Sequence, residues 1–277
     1  MITIAAITFQ EVLRKKVLLL TLFLAAAFFA LYGTGVYHAN KDLHYASPML
    51  KNVILPQLYF IGLYFGNFII AFLAIFSSVG AISAEVENGT MHAILSRPIH
   101  RREIVLGKFS GFASMLVIGS VVFFVTITWL VSYITGFQLS AQDLLAALAL
   151  FSFQPLILLA LATLGTTFLP TLSNGVALFS VYSVGVVGGI IEQIGTMTRS
   201  VTLTNIGIAS SLVIPTDAMY RKLTNIVAKA SNSPLSVMQL GPFGSQSEPS
   251  FWMTVYSVVY LLVVLYAAVV VFNRRDV

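Results

Sequence analysis

Residues 87–109, "ENGTMHAILSRPIHRREIVLGKF", carry six charged side chains and two histidines in a chain that is 58% hydrophobic and only 9% charged. Long apolar runs flank the stretch on both sides. A soluble domain is roughly 25% charged, so this composition, with a mean hydropathy of +0.92, describes a polytopic membrane protein. The stretch is then a polar loop joining two spans. A bilayer leaves an isolated apolar segment only the helix as a way to satisfy its backbone, so the fold class is all-α.

Outward from this loop, six segments are long enough to cross about 30 Å of hydrocarbon at 1.5 Å per residue. They cover about 17–37, 57–83, 109–135, 144–169, 172–191 and 251–272, and none contains Asp, Glu, Lys or Arg. The expectation is a single transmembrane domain over 1–277. Pro155 lies inside the fourth span and should kink it. In "LPTLSNG" Pro170 stops that span, and Ser173 or Asn174 is placed to cap the fifth. Arg14, Lys15 and Lys16 before "LLLTLFLAAAFFA" resemble a secretory signal, but the apolar run extends to Tyr37 and reads as a retained first span. Residues 1–16 read as an amphipathic helix on the membrane surface.

With six spans, both termini lie on one side. Placing them inside puts nine Lys and Arg on that side, against six outside. Positive charge favours the cytoplasmic face, so the opening stretch is expected to be cytoplasmic. The net charge of +5 suits lipid head groups rather than nucleic acid.

Catalytic signatures are absent: there is no H-E-x-x-H, G-x-S-x-G or Walker A, and Arg102 stands where a P-loop before Gly107-Lys108 needs its first Gly. His38, His44, Asp42 and Met49 match no metal-ligand spacing. With zero Cys there is no disulfide framework or thiolate site. No enzyme, cofactor or metal site is expected in this chain. Asp143 and Glu192 read as lying at span ends, which leaves the bundle interior uncharged. Such an interior lacks the ionisable groups by which ion-coupled transporters bind their driving ion, so the energy for uphill transport would come from a partner. Two other readings remain. One is a secondary transporter or channel-like protein without an ATPase, and the other is a membrane assembly or anchoring factor.

Within the loop, Gly89 is placed to end the second span and Thr90 to cap a short helix, "MHAILS", that Pro98 terminates. Met91, Ile94 and Leu95 form its apolar face, while Glu85, Glu87, His92 and Arg97 supply polar contacts. Arg97, Arg101 and Arg102 could anchor such a loop to phospholipid. A short capped helix across the ends of two spans could equally receive a push from a soluble partner.

Glu85, Glu87, Gly89, Thr90, Leu95, Ser96, Pro98, Arg101, Gly107 and Lys108 together resemble the cytoplasmic loop of ABC-2 type permeases, the membrane subunits of a class of ATP-binding-cassette transporters. The six-span layout matches as well. The resemblance implies that Thr90–Arg97 is a coupling helix docking into a separate ATPase, with Glu85, Glu87, Gly89, Thr90, Met91, Ile94, Leu95, Arg97, Arg101 and Arg102 forming the dock. It also implies two ATPase subunits, which would bind ATP and Mg, and a second permease, identical or homologous. The setting would be a prokaryotic inner membrane, and export the direction.

The outer segment, about 194–250, contains "IPTDAMYRKLTNIVAKA". This reads as an amphipathic helix capped by Thr216, with Met219, Leu223, Ile226 and Val227 on one face. In ABC-2 permeases such helices shape the outer gate, which makes Asp217, Tyr220 and Arg221 candidate gate residues. Glycines one helical turn apart (Gly62 and Gly66, Gly107 and Gly111, Gly185 and Gly189) commonly let helices pack closely. By resemblance, Gly185, Gly188 and Gly189 are candidates for a dimer interface or the substrate path.

Overall fold

The computed structural model describes residues 1–43, 47–91, 100–230 and 247–275, and all regular structure among them is helical. Six helices are long and apolar enough to cross a membrane. Helix α1 (Ile2–Leu13) precedes the first, α2 (Lys16–Leu43). The second is α3 (Pro48–Ser78), extended after a turn by α4 (Ser83–Glu87). Then come α5 (Arg101–Thr135), α6 (Ala141–Thr166) and α7 (Thr171–Thr198). Two shorter helices, α8 (Val201–Val213) and α9 (Thr216–Ala230), separate these from the sixth, α10 (Phe251–Arg274).

Local chemistry sets the helix ends. The Ser140 hydroxyl accepts from the Asp143 N–H at 3.2 Å and donates to its carboxylate at 2.7 Å, capping α6. Gly136, at φ 73°, ends α5 in the left-handed region. Helix α6 runs through Pro155 as one element. At α7 the expectation fails: Ser173 and Asn174 lie inside the helix. Asn174 instead donates to the carbonyls of Val79 at 2.9 Å and Ala162 at 3.2 Å. The cap comes from another part of the chain, Glu87.

One end of the bundle gathers both termini. The N-terminal ammonium sits 3.3 Å from Glu103, and Arg275 donates to the Thr167 carbonyl at 2.7 Å. Helix α1 does more than lie on a surface. It packs across the start of α5, where a Cβ on Gly111 would come within 2.7 Å of the Ala5 carbonyl and the Thr8 side chain. Gly107 faces Ile4 in the same way. The Gly107/Gly111 pair therefore seats α1. Helix α2 is peripheral, with 11% of its apolar window buried, so most of it is left for lipid or another chain.

The outer segment departs most from the sequence reading. Helix α8 does not lie outside the bundle. It folds back antiparallel along α7, with Thr204 against Gly195, Gly207 against Glu192, Ser210 against Gly188 and Ile214 against Gly185. Since Gly185 lies thirteen residues before the end of α7, the hairpin descends roughly 20 Å alongside it. Helix α9 then climbs back between α3, α6 and α7, with Met219, Leu223 and Val227 fully buried. Helix α8 satisfies its own backbone and leaves one face exposed, whereas the non-helical turn after it is enclosed by protein, with Ile214 and Thr216 buried, as backbone outside a helix requires in an apolar setting. Tyr256 and Tyr260 of α10 donate to the Leu212 and Val213 carbonyls at 2.6 and 2.8 Å, satisfying the otherwise orphaned end of α8.

Candidate functional sites at the two ends of the fifth span

At the end that holds both termini, α4 and its following turn are tied to two other spans. Glu85 pairs with Lys108 of α5 at 2.5 Å, and Lys108 is 5% exposed. Glu87 accepts from the Thr171 N–H at 2.7 Å and from its hydroxyl at 3.2 Å. A carboxylate at a helix N-terminus satisfies orphan donors and complements the dipole, so Glu87 closes the first turn of α7. Ser83 adds a hydroxyl bond to Thr171 at 2.8 Å.

Gly89 adopts φ 72° and stops α4. The Thr90 hydroxyl donates back to the Glu85 carbonyl at 3.2 Å. Met91 is 0% exposed, packed with Ile82, Ile104, Val105, Ala268 and Phe272. Met91 thus anchors the start of the loop to its own subunit. His92, Ile94, Leu95 and Arg97 lie outside the described residues. Arg101 donates to the Phe272 carbonyl at 3.3 Å and to that of Arg275, holding the end of α10. Arg102 is exposed.

The opposite end contains what the sequence reading missed. Glu192 is not at a span end. Helix α7 continues to Thr198, and Glu192 lies within it at 5% exposure. It forms an ion pair with Arg221, which is 1% exposed and also lies 2.9 Å from Asp217. Arg221 further donates to Ser211 at 3.0 Å and Ser247 at 3.2 Å, and Ser247 donates to Glu192 at 2.7 Å. Asn225 reaches the Ser247 carbonyl at 3.1 Å. Four separate stretches (α7, α8, α9 and the approach to α10) thus meet on one guanidinium, whose planar donors suit two carboxylates at once. The bundle interior is charged after all, and the sequence-based argument against ion coupling loses its premise.

Asp217 and Arg221 are in this cluster. Tyr220 sits beside it, donating to the Phe60 carbonyl at 3.3 Å and stacking edge-on against Tyr64 at 5.6 Å. Thr216 does not cap α9: the helix opens with Met219 N–H donating to the Pro215 carbonyl, and the Thr216 hydroxyl is buried without a partner. Gly185, Gly188 and Gly189 face the same chain. A Cβ on each would meet Ile214, Ser210 and Asp217 respectively, at 2.4 Å or less. Glu192 could have been found from "GGIIEQIG", where a lone carboxylate follows a glycine-rich helical face. Among the described residues no group of three His, Cys, Asp or Glu could hold a metal, and His44 and the Met49 side chain lie outside them.

A family model described as "ABC-2 family transporter protein" matches residues 2–277. No curated protein matches the chain.

Proposed function

The chain belongs to the ABC-2 transporter family and is a permease subunit of an ABC transporter, and from that premise we propose that it is the membrane half of an ATP-driven exporter. Members of this family work with an ATP-binding-cassette ATPase. Two copies of it, binding ATP and Mg, would dock on the loop after α4, and a second permease would complete the path. The observation that carries this reading is the pair of contacts made by Glu85 and Glu87. They join the loop to α5 and α7, so a force on the loop reaches three spans at once. The α9 cluster around Arg221 then serves as the outer gate.

The test is retention of the ATPase on permease purified from its native membrane, alongside ATP turnover. Leu95→Asp would bury an unpaired charge in the dock, a cost of several kcal/mol, and should release the ATPase with permease levels unchanged. Arg102→Ala, at an exposed position, should do much less. If no ATPase accompanies the unmutated chain, the exporter reading fails. If one stays bound through Leu95→Asp, the coupling helix is wrongly assigned.

The proposed orientation, with both termini cytoplasmic in a prokaryotic inner membrane, rests on the Lys and Arg count. The chain has no Cys, so single cysteines report cleanly. Asn232→Cys should react with a membrane-impermeant thiol reagent in intact cells, and His100→Cys only after permeabilisation. The opposite pattern inverts the topology.

A further inference from the structure

Between α3, α7 and α9 lies a cavity of about 20 Å³, enough for one water-sized occupant. Its wall includes Tyr64, Asn67, Tyr182, Thr216, Asp217 and Tyr220. A polar lining of this kind at membrane depth is costly unless something satisfies it. One buried group on this wall has no partner: Thr216 is 3% exposed and its hydroxyl makes no hydrogen bond, while beside it the Asp217 carboxylate is held by Arg221 through Oδ2 at 2.9 Å.

The charge balance points the same way. Asp217 faces Glu192 and Tyr182 from α7, Tyr64 from α3, and Arg221 and Tyr220 from its own helix. Glu192 takes up Arg221 and Ser247, so two carboxylates share one guanidinium and a negative charge is left over. A buried ion needs a counter-ion or must be neutralised. The available donors are oxygens, which suit hard cations. With one carboxylate on the cavity, the site matches a single positive charge rather than a divalent metal.

We propose that this cavity binds one monovalent cation, with the Asp217 carboxylate supplying charge and the Thr216 hydroxyl and Asn67 amide oxygen completing its coordination. This stands apart from the transport reading, because binding needs neither ATP nor the partner.

The test is thermal unfolding of the purified chain in lipid nanodiscs, in sodium, potassium or choline chloride at constant ionic strength. Sodium or potassium should raise the midpoint to saturation, and choline, too large for the cavity, should not. Dialysis with labelled ion should give one bound ion per chain. Thr216→Val keeps the side-chain shape and should weaken binding about tenfold, and Asp217→Asn should abolish the alkali-cation effect. Equal midpoints in all three salts would overturn the proposal and leave a water or a protonated Asp217 in the cavity. A sodium or potassium effect that survives Asp217→Asn would overturn it as well.

Discussion

Arg221→Ala should nearly eliminate folded permease from the membrane, and adding Glu192→Gln and Asp217→Asn to the same chain should bring most of it back. In the native chain Arg221 is 1% exposed and contacts both carboxylates. Removing one partner of a buried ion pair costs about 3–5 kcal/mol, because the remaining charge is left uncompensated. Here two carboxylates would be stranded side by side. Against a total stability of about 5–15 kcal/mol, that loss is close to complete. Neutral isosteres of both acids remove the stranded charges, so the remaining cost is the cavity left by the arginine stem. The measurement is the monodisperse fraction surviving mild detergent, read by size-exclusion chromatography. A single Arg221→Ala variant as abundant as the native chain would mean the carboxylates are solvated, and the cluster would lose its structural role.

The second large effect is expected at Gly207. A Cβ there would lie 2.3 Å from Glu192 Cβ and 2.7 Å from its Cα. Since the obstacle includes backbone, no rotamer change can relieve it. Gly207→Val should therefore cost about 3 kcal/mol, the upper part of the usual overpacking range. It should also pry α8 from α7 and loosen the Arg221 cluster. Gly35 provides the control, because nothing lies within 4 Å of a Cβ built there. Gly35→Ala should leave stability unchanged or raise it by up to about 1 kcal/mol through helix propensity. Thermal unfolding in detergent compares the two. A Gly207→Val midpoint equal to that of Gly35→Ala would refute the close α7–α8 packing.

The six spans were legible because hydropathy over twenty residues is a strong signal, and all six have helices in the structure. Helix α9 was legible too, since its amphipathic period survives around Asp217 and Arg221. What misled was the environment assigned to its polar face. Periodicity separates two faces but does not say whether the polar one meets water or a buried partner. The same limit hid Glu192, because ending a span at the first charged residue assumes that charge means surface. Helix α8 was missed for another reason. "VTLTNIGIASSLV" is too short to span and too rich in small polar residues to stand out, and its place depends on Gly185 and Gly188, each more than twenty residues before the side chain it meets. At the loop, charge density correctly marked a junction, but Glu85 and Glu87 are held by Lys108 and Thr171, contacts that no local pattern encodes.

The carboxylate clasp of Glu87 on Thr171 has a consequence in simple leverage. Helix α7 is a stiff rod of 28 residues, and Glu192 lies roughly 32 Å along it from the clasp. Tilting the rod by about 10° at its base would swing Glu192 through roughly 5 Å, well past the 2.7 Å reach of its bond to Ser247. Helix α8, interlocked with the glycines of the rod, would travel with it, whereas α9 is wedged against α3 and α6. Such a swing would load Arg221 directly, because this side chain of α9 holds Glu192 of the moving rod and Ser211 of α8 at the same time.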